Sequence, residues 1–182
     1  MTFLEKVLAS VAAPETDDDR RKARAKAADI ARDSRWLAAV LEQHVAIEQA
    51  LAGVRAATDA SGRRSAQRWL STLVTGHSIA EEAVLYPAMG RAGQKLHSMM
   101  ACREQSDVKF ELAALETLAP MSQANLDKLE LLQTMLVRHM FAEEKHWFPA
   151  LARQGTPAEQ LRLSSRFEQE FERYMGVDAD LS

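Results

Sequence analysis

Apolar residues recur every three to four positions along most of the chain, and no segment alternates apolar and polar residues as a strand would. The pattern therefore predicts an all-α protein. Four long helices are expected at about 34–58, 63–86, 94–119 and 123–152, with Pro87 and the Gly90–Gly93 region ending the second and Ser122 capping the fourth. Helices joined by such short breaks become antiparallel neighbours, so we expect an up-down-up-down four-helix bundle.

Further helices are predicted on both sides of the bundle. The stretch TDDDRRKARAKAADIARD, from Thr16, places acidic residues in a first helical turn and basic residues after them, and we interpret the bases as a solvated face. In GTPAE, Thr156 and Glu159 form the pattern of a capping box around Pro157, which begins a last helix ending near Met175. The expected divisions are an N-terminal helical extension (1–33, starting with a short amphipathic helix), the bundle (34–152) and a C-terminal helix (153–182).

Composition narrows the classes of function. The net charge of −3 over 182 residues indicates neither a nucleic-acid nor a membrane partner, and no stretch approaches the ~20 apolar residues of a membrane span. The single cysteine, Cys102, excludes an internal disulfide and fits a reducing compartment, so we expect a cytoplasmic protein. Apolar positions of the last helix (Phe167, Phe171 and Tyr174) could pack on the bundle or on a second copy, as a homodimer.

Histidines and glutamates interrupt the apolar stripes of three predicted long helices. In each stripe a His is followed four residues later by a Glu, a spacing that places both side chains on one face, one turn apart. The pairs are His44 and Glu48, His77 and Glu81, and His139 and Glu143. The adjacent Glu82 and Glu144 lie about 100° further round and are expected to flank the site or face solvent.

The third long helix carries a carboxylate instead of such a pair. Helical rotation puts Glu104 inside its apolar stripe, Gln105 at the edge and Lys109 further out. When residues are counted from the predicted turns at about 1.5 Å of rise each, Glu104 and the three histidines fall within a few ångströms of one height. We therefore expect one polar layer in the middle of the bundle.

A layer of acids and imidazoles in an apolar interior needs compensation. An unpaired buried carboxylate loses several kcal/mol of hydration, and a divalent cation would supply the missing charge. Imidazole and carboxylate ligands suit iron, manganese or zinc, and the lack of thiolates argues against a structural zinc site. The residues thus indicate a metal site, with a purely hydrogen-bonded polar layer as the alternative.

Three sequence blocks resemble the hemerythrin-like family, also called the HHE cation-binding domain: EQH at 42–44, HSIAEEAVLYP at 77–87 and HMFAEEKHWFP at 139–149. The resemblance covers about residues 36–152. It implies a four-helix bundle that holds non-haem iron (Fe2+/Fe3+), usually two ions bridged by carboxylates, with manganese and zinc ranked behind iron. The positions that match family ligands are His44, His77, Glu81, His139 and Glu143.

The third long helix departs from that family pattern. Gln105 and Lys109 stand where many members carry histidines, so a two-iron site with five histidines cannot be assembled. Either Glu48 and Glu104 complete a more carboxylate-rich set, or the site holds a single metal. The resulting hypothesis is a metal protein that binds or senses O2, peroxide or NO, or buffers iron. The alternatives are a di-iron oxidase or peroxidase, and a bundle with a degenerate site that acts as an interaction module.

Overall fold

The computed structural model describes residues 15–179. Of these residues 88% are helical and none is in a strand, which confirms the predicted all-α class. The described part of the chain forms six helices, two of which contain a π-helical turn. Their bounds are α1, Asp17–Ala31; α2, Arg35–Ala56; α3, Ala60–Ala80 with Glu81–Leu85 (π) and Tyr86–Arg91; α4, Lys95–Thr117; α5, Gln123–Ala142 with Glu143–Trp147 (π) and Phe148–Ala152; and α6, Pro157–Ala179. The short helix predicted at the N-terminus lies outside the described residues.

The helix starts follow the capping residues of the sequence. Thr16 accepts a hydrogen bond from the backbone N–H of Asp19 at 3.1 Å and begins α1. Ser122 accepts from the N–H of Asn125 at 3.2 Å and begins α5, as predicted. At α6 the predicted capping box is present, because the hydroxyl of Thr156 accepts from the N–H of Glu159 and the Glu159 carboxylate accepts from the N–H of Thr156. Each cap satisfies backbone donors that a helix start leaves without partners.

The prediction that the second long helix ends at about Tyr86, before Pro87, is wrong, since α3 continues to Arg91, within the Gly90–Gly93 region that was also expected to stop it. A π-helical turn precedes the proline, and in it the N–H of Tyr86 donates to the carbonyl of Glu81, five residues back. Proline lacks an N–H, and directly after a π turn this loss breaks no regular α-helical bond. The chain turns only at Gly93, whose φ of +84° lies in the left-handed region that glycine adopts without strain.

Two apolar clusters form the core, and the predicted polar layer lies between them. On α2, Leu41 belongs to one cluster and Ile47 to the other, with His44 between them. On α3, Val74 and Ala80 flank His77 in the same way. The layer is therefore enclosed by apolar residues on both sides along the helix axes.

The flanking helices pack on the long ones. Phe167 of α6 is fully buried, and Phe171 contacts both apolar clusters, so this apolar face is covered by its own chain. At the closest approach, a Cβ on Gly76 of α3 would lie 2.9 Å from a ring carbon of Tyr174. Across residues 15–179, the apolar stretch needed to span a bilayer occurs in none of the helices.

Candidate metal centre

Three histidine rings from three helices form the centre of the polar layer. His44 of α2 is fully buried, and His77 of α3 and His139 of α5 are each 3% exposed. The Nδ1 atom of each ring lies 2.8 Å from a side-chain oxygen: Glu144 Oε1 for His44, Gln43 Oε1 for His77 and Glu104 Oε2 for His139. Because ionised carboxylate and amide oxygens only accept hydrogen bonds, each Nδ1 carries a hydrogen, and the neutral rings have their lone pair on Nε2.

Each Nε2 atom lies 3.3 Å from an oxygen of a fully buried carboxylate, which is Glu143 for His44 and His139 and Glu81 for His77. Four atoms in this group have no hydrogen-bond partner among the described residues: Nε2 of His44, Nε2 of His77, Oε1 of Glu81 and Oε2 of Glu143. Nε2 of His44 is 3.3 Å from Oε2 of Glu143, close enough for an ion pair but not aligned for a hydrogen bond. Buried polar atoms are normally hydrogen-bonded, so this concentration of unpaired ones calls for a partner of another kind.

This donor set fits a divalent cation. His44, His77, Glu81 and Glu143 each offer one donor atom, and the four atoms lie within 4.8 Å of one another. A cation that bonds nitrogen and oxygen at about 2.0–2.2 Å holds opposite donors about 4.4 Å apart at most, so a small inward shift would close the shell. Two imidazoles and two carboxylates are ligand types for iron, manganese and zinc.

The remaining carboxylate oxygens are occupied by other side chains. The hydroxyl of Tyr86 lies 3.0 Å from Oε2 of Glu81 and 2.8 Å from Oε1 of Glu143. The amide of Gln105 donates to the same Oε2 of Glu81 at 2.5 Å. The hydroxyl is also 3.2 Å from Nε2 of His139. One phenolic hydrogen cannot serve three acceptors, so other protons must share these contacts when no cation is bound.

The electrostatics of the layer show where those protons lie. Burial alone would lower the pKa of His44, but the carboxylates of Glu143 and Glu144 outweigh it and raise this pKa to about 9. Burial is likewise outweighed at His139, whose pKa is raised to about 10 by Glu143 and Glu104. Both rings are therefore cationic at neutral pH without a metal.

The pKa values of the other three groups do not shift in a common direction. Burial, with repulsion from His44, lowers the pKa of His77 to about 3, so this ring is neutral. Burial and the negative charge of Glu143 raise the pKa of Glu81 well above its usual range. Burial opposes the ionisation of Glu143, but the charges of His139 and His44 hold its pKa below the usual range. A cation entering the layer would thus compete with protons on two of its four donors, His44 and Glu81.

Glu48 and Glu144, two carboxylates near the layer, meet an arginine from the first helix. The guanidinium of Arg24 pairs with Glu48 at 2.8 Å through each of two nitrogens, and with Glu144 at 2.8 Å. Burial would raise the pKa of Glu144, but His44 and Arg24 lower it below its usual range. Of the two positions expected for Glu144, the structure shows the one that flanks the site and not the one that faces solvent, because Glu144 is 2% exposed and orients His44. Arg24, which we predicted to lie on a solvated face, is half-buried because it contacts these two carboxylates.

Helix α4 is rotated relative to the sequence prediction. Gln105, expected at the edge of the stripe, is buried and reaches Glu81, while Glu104 is only partly buried and contacts the far side of His139. Lys109 points away from the layer, as expected, and pairs with Glu82 at 2.7 Å. Of the seven predicted site residues, the structure brings five together: His44, His77, Glu81, His139 and Glu143. Glu104 lies one contact further out, against Nδ1 of His139, and Glu48 is connected to the layer only through Arg24 and Glu144.

Four residues that were not predicted as site residues touch the layer directly: Gln43, Tyr86, Gln105 and Glu144. The repeated block contained a signal for Tyr86, because the corresponding position of the second block is Phe148. A hydroxyl at a position that is otherwise apolar, and fully buried, requires a polar partner. That partner is the pair of carboxylates.

The comparison with protein families agrees with this arrangement. The model of the hemerythrin HHE cation-binding domain matches residues 37–151, more than half of the chain. The chain belongs to the hemerythrin HHE cation-binding family. Membership confirms the family resemblance found in the sequence, and the His and Glu side chains that could hold an ion lie inside the matched segment. Comparisons with curated proteins and with solved structures gave no match.

Proposed function

We propose that the protein holds non-haem iron in the polar layer and uses it to bind or sense a small ligand such as O2, peroxide or NO, or to buffer iron. The observation that carries this proposal is the group of four buried donor atoms without hydrogen-bond partners, contributed by His44, His77, Glu81 and Glu143. Bound iron would supply a redox couple and a coordination position for the ligand. Iron is preferred over manganese and zinc because the family resemblance implies it and imidazole with carboxylate suits it.

The side chains around these donors prepare them for a metal. Gln43 and Glu144 accept the Nδ1 hydrogens of His77 and His44, which fixes both ring orientations and leaves Nε2 for coordination. The apolar clusters on both sides exclude bulk water and lower the local dielectric constant, so a buried cation and its carboxylates attract each other strongly.

We also infer that α2, α3, α4 and α5 run up-down-up-down around the layer. Three connections support this, since residues 57–59, 92–94 and 118–122 are the only links between consecutive long helices. Links of this length leave no room for a crossover along a helix of more than twenty residues. The single cysteine supports the cytoplasm as the compartment.

Anaerobic reconstitution tests the proposed function. The protein would be loaded with Fe2+, desalted and analysed for metal content, and its near-UV and visible spectra recorded before and after O2, peroxide or NO is added. We expect retained iron and a ligand-dependent absorbance change. His77→Ala should lose the metal, whereas His97→Ala should keep it, because the exposed ring of His97 only stacks on Trp147.

Further measurements on the same protein distinguish the alternatives. A protein that retains no metal, and whose melting temperature is unchanged by chelation and by His77→Ala, would be an interaction module with a degenerate site. Steady-state turnover of peroxide by the loaded protein would identify an enzyme instead of a binding protein. Retained zinc or manganese in preference to iron would contradict the metal assignment while leaving the site in place.

A further inference from the structure

The two HxxxEE blocks place equivalent histidines in different surroundings. His77 and His139 occupy the same position of the repeated block and are equally buried. Nε2 of His77 has no hydrogen-bond partner, while Nε2 of His139 lies 3.2 Å from the hydroxyl of Tyr86. The approximate symmetry of the sequence is therefore broken at the atoms that would bind metal.

The oxygens of the two buried carboxylates also differ in whether they have a hydrogen-bond partner. Each of Glu81 and Glu143 has one oxygen without a partner and one that contacts the Tyr86 hydroxyl. The two occupied oxygens meet at the Tyr86 hydroxyl, which lies 3.2 Å from Nε2 of His139, and the amide nitrogen of Gln105 also donates to the occupied oxygen of Glu81. An amide N–H and a phenolic O–H carry partial positive charge, so they already supply to these oxygens what a second cation would supply.

We propose that the layer holds one cation per chain, bound by His44, His77, Glu81 and Glu143, and that Tyr86 and Gln105 fill the second metal position. His139 then acts as a positioning residue. Its Nδ1 donates to Glu104 and its Nε2 faces the Tyr86 hydroxyl, so it holds the tyrosine against both carboxylates. This inference rests on the proposed function, because it assumes that the layer binds a metal.

Stoichiometry tests the inference without any activity measurement. Purified apoprotein would be titrated anaerobically with Co2+, followed by the d–d absorption of the bound ion and by native mass spectrometry. Wild type should bind one Co2+ per chain. His77→Ala should weaken binding by more than about 100-fold because it removes a ligand, whereas His139→Gln should still bind one Co2+ with an affinity within about tenfold of wild type.

Tyr86→Phe provides a second measurement if the His139 variant does not fold. It removes only the hydroxyl, and it should retain one Co2+ with the absorption pattern of wild type, its folded state being checked by circular dichroism. Two Co2+ ions per wild-type chain would overturn the inference and leave the proposed function standing, as would equal losses in His77→Ala and His139→Gln. No bound Co2+ at all would remove the proposed function itself.

Discussion

Metal affinity should rise steeply with pH, because a proton on His44 competes with the cation. The pKa of this ring in the metal-free protein is about 9, raised against the effect of burial by Glu143 and Glu144. A coordinating imidazole must be neutral, so the proton leaves when the metal binds. The affinity for the metal is therefore reduced at every pH below about 9 and increases as the pH rises toward that value.

The pKa sets the size of the effect. At pH 7 the ring is two pH units below its pKa, so proton competition weakens binding by about 100-fold, or about 2.7 kcal/mol. Between pH 6.5 and 8 the affinity should therefore rise at least about 30-fold, and more if Glu81 releases its proton too.

Glu144→Gln separates this mechanism from a general effect of pH. A glutamine oxygen can still accept the Nδ1 hydrogen of His44, but the negative charge that favours the second proton is gone. The variant should show a flatter dependence of affinity on pH. Glu82→Gln is the matched control, because Glu82 occupies the same position of the first block but pairs with Lys109, away from the layer. Its pH dependence should equal that of wild type.

The assay is a Co2+ titration at several pH values between 6.5 and 8, with binding heats measured in two buffers of different ionisation enthalpy. The difference in heat between the buffers counts the protons released, and at least one proton per Co2+ is expected at pH 7. Equal affinities at pH 6.5 and 8 in wild type, or no proton release, would refute the reasoning. So would identical pH profiles for Glu144→Gln and Glu82→Gln when both profiles are steep.

Three further predictions concern stability, measured by urea unfolding. Gly53→Ala should raise the free energy of unfolding by about 0.5–1 kcal/mol, because the added methyl group meets no atom within 4 Å and alanine favours the helix. Gly76→Ala should be less stable than Gly53→Ala by about 1 kcal/mol or more, since its Cβ would press on the ring of Tyr174 in α6. Equal free energies of unfolding for the two variants would show that α6 can shift away without cost. Thr156→Ala should lower the free energy of unfolding by about 1 kcal/mol through loss of the α6 cap, and Thr156→Ser should restore most of it. A Thr156→Ala variant as stable as wild type would show that the cap is dispensable.

The sequence was sufficient to locate the layer, because histidine and glutamate stand out on an apolar stripe. His77 lies in regular α-helix, and the N–H of Glu81 still donates to the carbonyl of His77 four residues back, so their common face could be calculated. Beyond Glu81, regular α-helical spacing no longer predicts which side chains face the layer. The π turn inserts one extra residue per turn and shifts every later side chain around the axis, which brings Tyr86 to the layer and carries the helix past Pro87.

The rotation of α4 could not be predicted for a different reason. The apolar residues of the predicted stripe do not mark a single buried face, since Leu96 is 68% exposed and Met100 is 44% exposed. A stripe centred on such residues is displaced toward solvent. Because of this displacement, Glu104 was predicted at the layer, where the structure has Gln105. Only packing against the neighbouring helices determines which of the two residues turns inward.

The contact between Arg24 and two carboxylates affects how far the chain can be shortened without disturbing the polar layer. The family match starts at residue 37, so a chain shortened to that border would keep every donor of the layer but lose the guanidinium. Glu48 and Glu144 would then repel each other with no opposite charge between them. A shortened protein that retains an intact centre must therefore include the first helix. A protein that begins at residue 37, where the family match starts, would have a less stable centre.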